Sequence, residues 1–202
     1  MSPSPPLARP MAGVILAGGQ SRRFGSNKAL AQLNGRPLIE ISAEVMAAIF
    51  PERLLITNDP AAYEFLGWPM AGDIFTDAGP LAGIHAALSQ VAAEEIMVVA
   101  CDMPFIKGNL IRLICQPANK GIVIPRLDQG LLEPLMARYH KKILPPLTAA
   151  LDAGERRLHT FIKGQNPTYI EARELRTVDP SLASFRNINH RHDLRAHHAD
   201  QP

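Results

Sequence analysis

The sequence predicts a three-layer α/β protein, with helices on both faces of a mostly parallel sheet. Short apolar runs without polar alternation recur along the chain, which is typical of strands that are buried on both faces. Stretches with helical periodicity separate these runs, and a strand–helix–strand repeat favours parallel strands joined by crossover helices. We therefore expect one sheet with helices packed against each side.

The elements follow in chain order from this pattern. The predicted strands are four apolar runs and one later segment: GVILA (13–17), LLIT (54–57), IMVVAC (96–101), GIVIP (121–125) and TYIEA (168–172). The first helix, 37–50, is predicted because apolar residues recur at helical spacing from Leu38 to Ala48. Residues 134–140 receive no element from the pattern. The other predicted helices are 80–92, 109–116, Lys142–Ala153 and Glu155–Lys163.

Length and composition favour one globular domain. The chain has 202 residues, of which 47% are hydrophobic and 20% charged, which is enough for a sizeable core. The first ten residues hold four prolines and no apolar run, so 1–10 is predicted to be a disordered leader. Residues 196–202 read as a frayed tail. We expect the domain to span 11–195.

Charge and cysteine content exclude several classes of protein. The 21 Lys and Arg nearly balance the 19 Asp and Glu, which argues against nucleic acid as a partner. The apolar run Val14–Ala17 is too short for a signal peptide or a membrane helix, so we expect a cytoplasmic protein without a membrane partner. Cys101 and Cys115 lack metal-site spacing and are predicted to be buried, reduced thiols.

The glycine-rich segment LAGGQSRRFGSNK (16–28) is the strongest functional signal. Gly18 and Gly19 lie where the first strand ends, which is the edge at which open α/β sheets bind ligands. Glycine lets backbone N–H groups approach phosphate oxygens closely. Arg23 offers a planar fork for two oxygens, and Lys28 offers a mobile point charge. The segment therefore predicts a site for a nucleoside triphosphate.

Alternative interpretations of this segment fit less well. Gly25 is followed by Ser26 rather than Lys, so the segment is not a P-loop, and the dinucleotide pattern G-x-G-x-x-G is absent. An ordinary glycine-rich turn with solvated cations is the remaining alternative. It requires the whole pattern to follow a buried strand by chance.

The segment resembles the signature L-A-G-G-x-S-x-R-x-G-x-x-K of the molybdenum cofactor guanylyltransferases. The resemblance extends from about Met11 to Leu194 and implies a Rossmann-like nucleotidyltransferase domain. It implies transfer of GMP from GTP to molybdenum-bound molybdopterin, with pyrophosphate as the second product. It also implies that a molybdoenzyme or a chaperone receives the product. The matching positions are Leu16, Ala17, Gly18, Gly19, Ser21, Arg23, Gly25 and Lys28.

Asp102 follows the third apolar run directly, in VVACDMPF. A carboxylate at that strand end suits Mg²⁺, which takes one or two protein carboxylates and keeps its waters. A helix-capping Asp before Pro104 is the alternative. The resemblance, through a C-D-x-P segment, implies that Asp102 binds Mg²⁺ while Lys28 and Arg23 offset the charge of the triphosphate.

The segment DIFTDAGPLAG (73–83) carries a third signal. The family has a G-P-L-A-G segment preceded by an Asp, which corresponds to Asp73, with Asp77 as the nearer alternative. A carboxylate there can accept two N–H groups of guanine. The resemblance also implies a nucleotide contact at Thr57 or Asn58. Gly18 in place of the alanine of cytidylyl-transferring relatives leaves room for a purine.

The end of the chain adds two family-like segments, GERR (154–157) and FRNINHRHDL (185–194). Asn187 and Asn189 alternate with Ile188, so both amides are predicted to face one side of a strand end. Four of the seven histidines lie in 190–198, where a solvated tail is favoured over a metal site. The pterin site is interpreted as lying within 126–164, with these cations: Arg126, Arg156, Arg157 and Lys163.

Two other functions remain open from the sequence. One is a cytidylyl or sugar-phosphate nucleotidyltransferase, which would share the fold and the phosphate site. The other is a non-catalytic molybdopterin carrier, which would not need both Asp102 and Lys28.

Overall fold

The computed structural model describes residues 7, 9–18, 27–118, 120–188 and 193. Within these residues no helix is long and apolar enough to cross a membrane. The strands are β1 (Ala12–Leu16), β2 (Gln32–Leu33), β3 (Arg36–Pro37), β4 (Glu52–Ile56), β5 (Met70–Ala71), β6 (Glu95–Ala100), β7 (Ile122–Arg126), β8 (Met136–His140) and β9 (Thr168–Glu171). The α-helices are α1 (Leu38–Ala47), α2 (Pro80–Gln90), α3 (Gly108–Cys115), α4 (Leu144–Asp152), α5 (Leu158–Lys163) and α6 (Ala172–Leu175). Short 3₁₀ helices lie at Lys28–Leu30, Pro60–Leu66, Asp128–Gly130, Lys141–Ile143 and Ala183–Phe185.

Seven of the strands form one sheet in the order β5-β4-β1-β6-β8-β7-β9. Strand β1 pairs in parallel with β4 and β6, and the pairs β4–β5 and β7–β9 are also parallel. Only β8 runs antiparallel within this sheet, between β6 and β7. The mostly parallel sheet expected from the sequence is confirmed.

Apolar residues cover both faces of the sheet, so the core has two halves. In β1, Val14 packs on one face and Ile15 on the other, which explains why the strand has no polar alternation. Helices α2, α4 and α5 cover the face of Val14, and helices α1, α3 and α6 cover the face of Ile15. The three-layer arrangement is therefore also confirmed.

Two details of the predicted elements were wrong. Helix α5 begins at Leu158 rather than near Glu155, because the Glu155 carboxylate accepts hydrogen bonds from the Arg156 and Arg157 amides, both at 2.8 Å, which holds GERR as a turn. Asn187 lies in an irregular segment after Phe185, not at a strand end. Asn189 and 190–192 lie outside the described residues.

Both cysteines are free thiols, as the sequence predicted. Burial raises the pKa of Cys101 and of Cys115 to about 12. Each is therefore held as a protonated, weakly reactive thiol at neutral pH. Cys115 is the last residue of α3 and is buried in the core, and Cys101 is half-buried and precedes Asp102 at the end of β6.

Candidate active site

A cavity of about 490 Å³ lies at the carboxyl edge of the parallel strands. Leu16 and Gly18 reach it from the end of β1, Asn58 from the chain after β4, and Asp102 from the chain after β6. Leu135 reaches it from the start of the antiparallel strand β8. The volume is in the range of small-molecule pockets, and the position is the one that open α/β sheets use for ligands.

Asp102 and Lys28 form an ion pair at the edge of this cavity. Their side chains are only 17% and 14% exposed, so the pair is largely shielded from water. The chain around Asp102 is fixed on both sides, since Cys101 N donates to Leu16 O at 3.2 Å and Ile188 N donates to Asp102 O at 3.1 Å. The two charges that the sequence predicted to act together are thus brought together.

The Asp102 carboxylate fits a divalent metal. Its Oδ1 atom is buried and has no hydrogen-bond partner among the residues that the structure describes, which is costly unless a ligand satisfies it. Within the described part of the chain no group of three or more His, Cys, Asp or Glu side chains could hold a metal. A metal here would rest on Asp102 and on oxygens of the substrate, which is the manner in which Mg²⁺ is commonly held.

Asp73 and Asn58 form a reciprocal pair at the cavity. Asn58 Nδ2 donates to Asp73 Oδ2 at 2.9 Å, and Asp73 N donates to Asn58 Oδ1 at 2.9 Å. A Cβ at Gly72 would lie 3.2 Å from Asn58 Oδ1, so a larger residue at that position would crowd the pair. The Asp73 carboxylate is therefore held at a fixed angle beside the cavity.

The structure places the alternatives left open by the sequence as follows around the cavity. Thr57 is 3% exposed and is not among the residues lining the cavity, because its hydroxyl accepts from Asp59 N at 3.1 Å within a turn. Asn58 does line it. Asp73 and Asp77 both line the cavity, but Asp77 is exposed and has a left-handed backbone with φ of 53°.

The amino end of helix α2 faces the same cavity through Gly79, Pro80 and Gly83. Gly79 has φ of 57° and ψ of −145°, a backbone region open to glycine alone. A Cβ at Gly83 would lie 3.2 Å from Leu16 Cδ2. The GPLAG segment thus brings the helix start close against the end of β1.

The end of β1 lies beside the cavity at Gly18. A Cβ added there would meet no atom of the described residues within 4 Å. Ala17 does not line the cavity and instead holds the strand end, with Ala17 N donating to Ile56 O at 2.9 Å. The positions predicted next along the segment lie outside the described residues: Gly19, Ser21, Arg23 and Gly25.

Glu133 is a site-edge carboxyl that the sequence analysis missed. Ala100 N donates to Leu135 O at 2.9 Å, which continues the β6–β8 register and carries Glu133 toward Asp102. The pKa of Glu133 is raised to about 7, mainly by burial and in addition by the Asp102 charge, against a hydrogen bond from Leu135 N at 3.2 Å. The position of Glu133 near Asp102 depends on the register between β6 and β8, which the sequence pattern does not predict.

The cations predicted for the pterin are not among the residues lining this cavity. Arg126 donates through Nε to Glu171 Oε2 at 3.1 Å, and its guanidinium lies 4.1 Å from the Tyr169 ring centroid. Arg156 donates to the carbonyl oxygen of Leu151 at 3.1 Å. Asn187 does line the cavity, and its Oδ1 atom is buried without a partner.

A mostly parallel sheet between two helical layers, with the Lys28–Asp102 ion pair and the start of helix α2 around one cavity, is an α/β domain of the class that binds ligands at the carboxyl ends of its strands. Residues 13–169 match the family model described as a MobA-like NTP transferase domain. The chain belongs to that family.

Named relatives agree with this placement. The chain is 36% identical over 187 residues to the molybdenum cofactor guanylyltransferase of Desulfosudis oleivorans, covering 90% of this chain and 91% of that protein. It is 33% identical to a probable molybdenum cofactor guanylyltransferase of Peptoclostridium acidaminophilum, covering 90% and 86%.

Solved structures show the same fold. The crystal structure of molybdopterin-guanine dinucleotide biosynthesis protein A from Archaeoglobus fulgidus superposes with a TM-score of 0.80 at 30% identity, covering 92% of this chain and 95% of that one. The 2-C-methyl-D-erythritol 4-phosphate cytidylyltransferase of Thermus thermophilus gives 0.66 at 16% identity, covering 92% and 96%, which is a likeness of fold alone.

Proposed function

We propose that the protein transfers GMP from GTP to molybdenum-bound molybdopterin, giving molybdopterin guanine dinucleotide and pyrophosphate. The observation that carries the proposal is that one cavity has a fixed carboxylate, Asp73, and a separate acid–base pair, Lys28 and Asp102. The first can read a base and the second can hold phosphates. Relatives that bear the name of this activity match nine tenths of the chain.

In the proposed reaction a terminal phosphate oxygen of molybdopterin attacks the α-phosphorus of GTP. A new P–O bond forms as the bond to the bridging oxygen breaks, and pyrophosphate leaves with that oxygen. Transfer of this kind requires positioning and charge stabilisation rather than a covalent enzyme intermediate. Lys28 and Arg23 offset the charge of the triphosphate, and the backbone at Gly18 and Gly19 approaches its oxygens.

Asp102 is the proposed ligand for Mg²⁺. When bound, the metal would be held by Asp102 and would supply positive charge against the phosphates. Within the described residues Asp102 Oδ1 is buried and lacks a hydrogen-bond partner, so it is the atom available for a metal. Lys28, which pairs with Asp102, would add a second positive charge at the same place.

Asp73 is the proposed reader of guanine. Its carboxylate would accept from the ring N1–H and the exocyclic amine, a pair of donors that adenine and cytosine lack on that edge. Asn58 prevents the carboxylate from turning away, because their hydrogen bonds are reciprocal. Asp77 remains the alternative reader. Asn187 is proposed to contact the pterin side of the cavity, in preference to Arg126, whose charge Glu171 offsets.

The choice of nucleotide is the direct test. Thermal unfolding with GTP, CTP, ATP or UTP and Mg²⁺ should show the largest stabilisation with GTP, since a bound ligand stabilises by mass action. Pyrophosphate release with molybdopterin present should then require GTP and Mg²⁺ and stop with a chelator. Turnover with CTP in preference would make the protein a cytidylyltransferase, and nucleotide-independent binding of molybdopterin without turnover would make it a carrier.

A further inference from the structure

Asn27 and Tyr63 form a hydrogen-bonded pair immediately before the lysine of the proposed phosphate site. Asn27 Nδ2 donates to the Tyr63 hydroxyl at 2.9 Å, and that hydroxyl donates back to Asn27 Oδ1 at 3.1 Å. The same Oδ1 accepts from Ala29 N at 3.1 Å, so Asn27 also caps the 3₁₀ helix Lys28–Leu30. One side chain therefore joins the helix that carries Lys28 to a residue 36 positions away.

Tyr63 is a rigid anchor for this pair. It is 2% exposed, lies in the 3₁₀ helix Pro60–Leu66 after β4, and packs in the same core half as Ala29 and Cys101. Burial is the main cause of a raised pKa at Tyr63, and the neighbouring Cys101 thiol adds to it. The hydroxyl thus stays protonated at neutral pH and keeps its hydrogen to donate.

The helix that carries Lys28 needs such an anchor. It has three residues and is closed by two backbone hydrogen bonds, Leu30 N to Asn27 O at 3.2 Å and Ala31 N to Lys28 O at 3.1 Å. Helices this short have little stability of their own, because ordering the first turn costs more entropy than its few hydrogen bonds return. The ammonium group of Lys28 also lies at the end of a flexible side chain, so its position depends on where the backbone of Lys28 is held.

We infer that Asn27 and Tyr63 are positioning residues, whose hydrogen bonds hold the backbone of Lys28 where its ammonium group meets both Asp102 and the triphosphate. The inference rests on the proposed role of Lys28 in nucleotide binding. Neither Asn27 nor Tyr63 lines the cavity, so their effect must pass through Lys28. The group that they position binds phosphate, so the effect should not depend on the base.

Two substitutions break the pair in different ways. Tyr63→Phe removes only the hydroxyl, and Asn27→Ser keeps an oxygen that can cap the helix but is too short to reach Tyr63. Each should weaken GTP binding, measured by calorimetry with Mg²⁺, about three- to tenfold, the range for one lost hydrogen-bonded pair. The double variant should be no weaker than the worse single variant, because both remove one interaction.

Tyr139→Phe is the matched control. Its hydroxyl donates to Pro134 O at 2.7 Å and is equally buried, but it has no link to Lys28. This variant should lower the melting temperature and leave the GTP affinity unchanged. Tyr63→Phe should instead lower the GTP affinity, and its melting temperature should be no lower than that of the Tyr139→Phe control.

The decisive measurement places Tyr63→Phe in a Lys28→Ala background. Lys28→Ala alone should cost about ten- to a hundredfold in GTP affinity, and the added Tyr63→Phe should then cost nothing further. A threefold or greater added loss, or an unchanged affinity for Tyr63→Phe alone, would overturn the inference. Each titration is repeated with CTP. An equal fold loss of affinity for GTP and CTP in Tyr63→Phe supports the positioning role. The ratio of GTP to CTP affinity in the wild type tests the proposed function separately.

Discussion

An ion pair that is largely shielded from water lies at each end of the central strand β6, and the two pairs differ in their surroundings. At the edge where β6 begins, Glu95 accepts from Arg138 at 3.1 Å, and their side chains are 7% and 1% exposed. A second guanidinium, that of Arg9, lies 3.5 Å from the same carboxylate. At the edge where β6 ends, Asp102 pairs with Lys28 beside the cavity.

The difference teaches which pair can bind a ligand. Glu95 has cations on two sides and does not line the described cavity, so its charge is used within the protein. Within the described residues Asp102 pairs with Lys28, borders the cavity and keeps a buried oxygen without a hydrogen-bond partner. Charge alone does not separate structural pairs from functional ones, because at both sites a carboxylate lies beside a cation; the unpartnered oxygen and the adjoining cavity do.

The largest effect should come from Asp102→Asn. Loss of the carboxylate charge should reduce turnover at saturating Mg²⁺ by at least about a hundredfold, comparable to losing an electrostatic contact in other active sites. Pyrophosphate release measures turnover, and thermal unfolding shows that the fold survives. Activity within a few-fold of the wild type would mean that the unpartnered oxygen has no catalytic use.

Arg138→Met should give the largest loss of stability. Removing one member of a buried pair leaves Glu95 poorly compensated, so the free energy of unfolding should fall by about 3 kcal/mol in urea titrations. Turnover per folded molecule should be unchanged. Arg176→Met is the control, because its partner Asp128 is 63% exposed, and a solvent-exposed ion pair adds little to the free energy of unfolding. Equal losses for the two variants would refute the contrast between the edges.

Asp73→Ala should reduce the preference for GTP over CTP by about ten- to a hundredfold. The wild-type carboxylate is left unpaired with the wrong base, and removing it removes that penalty. Steady-state turnover with each nucleotide gives the preference as a ratio of kcat/KM values. Asp77→Ala is the control and should keep the wild-type ratio. The reverse result would move base reading to Asp77.

Glu133→Gln should give a smaller effect that depends on pH. The pKa of Glu133 is raised to about 7 in the folded protein, above its ordinary 4.5, so the unfolded chain ionises first as pH rises. Wild-type stability therefore falls between about pH 4.5 and 7 relative to the variant, and the difference is constant above pH 7. Melting temperatures of both proteins from pH 4 to 8 measure it.

Glu155→Gln is the opposite control for this measurement. Hydrogen bonds from the Arg157 and Arg156 amides lower the pKa of Glu155, so its contribution is present above the ordinary pKa and is lost as pH falls. The variant should be the less stable protein at neutral pH, and the difference should vanish in acid. The same sign for both variants would contradict the burial of Glu133.

Four of the five strands that the sequence predicted come from runs whose side chains on both faces are apolar. Strand β8 has no such pattern, because Arg138 and His140 are polar yet buried beside Glu95 and its neighbours. Strand β5 has two residues, too few for any periodicity. Burial of polar residues by distant partners is a property of the assembled sheet, so neither strand could be read from local sequence.

The candidate site was predictable where it follows strand ends. Asp102, Asn58 and Gly18 were expected at the carboxyl edge because each comes directly after a parallel strand. Glu133 and Tyr63 were not, since one depends on the register of an antiparallel strand and the other on a contact with Asn27 across 36 positions. The roles of Arg23 and Gly19 stay predictions, because these residues lie outside the described ranges.

The place of β8 in the sheet sets an order for assembly during synthesis. Strand β7 precedes β8 in the chain but pairs only with β8 and β9, so it has no partner until residues 136–140 have been made. Until then β6 also presents an open edge of unpaired backbone groups. A nascent chain that carries β1, β4, β5 and β6 can form that half of the sheet, whereas β7 cannot pair with it until β8 has been synthesised. Slow translation between 126 and 136 would lengthen the exposure of that edge, and with it the risk of aggregation.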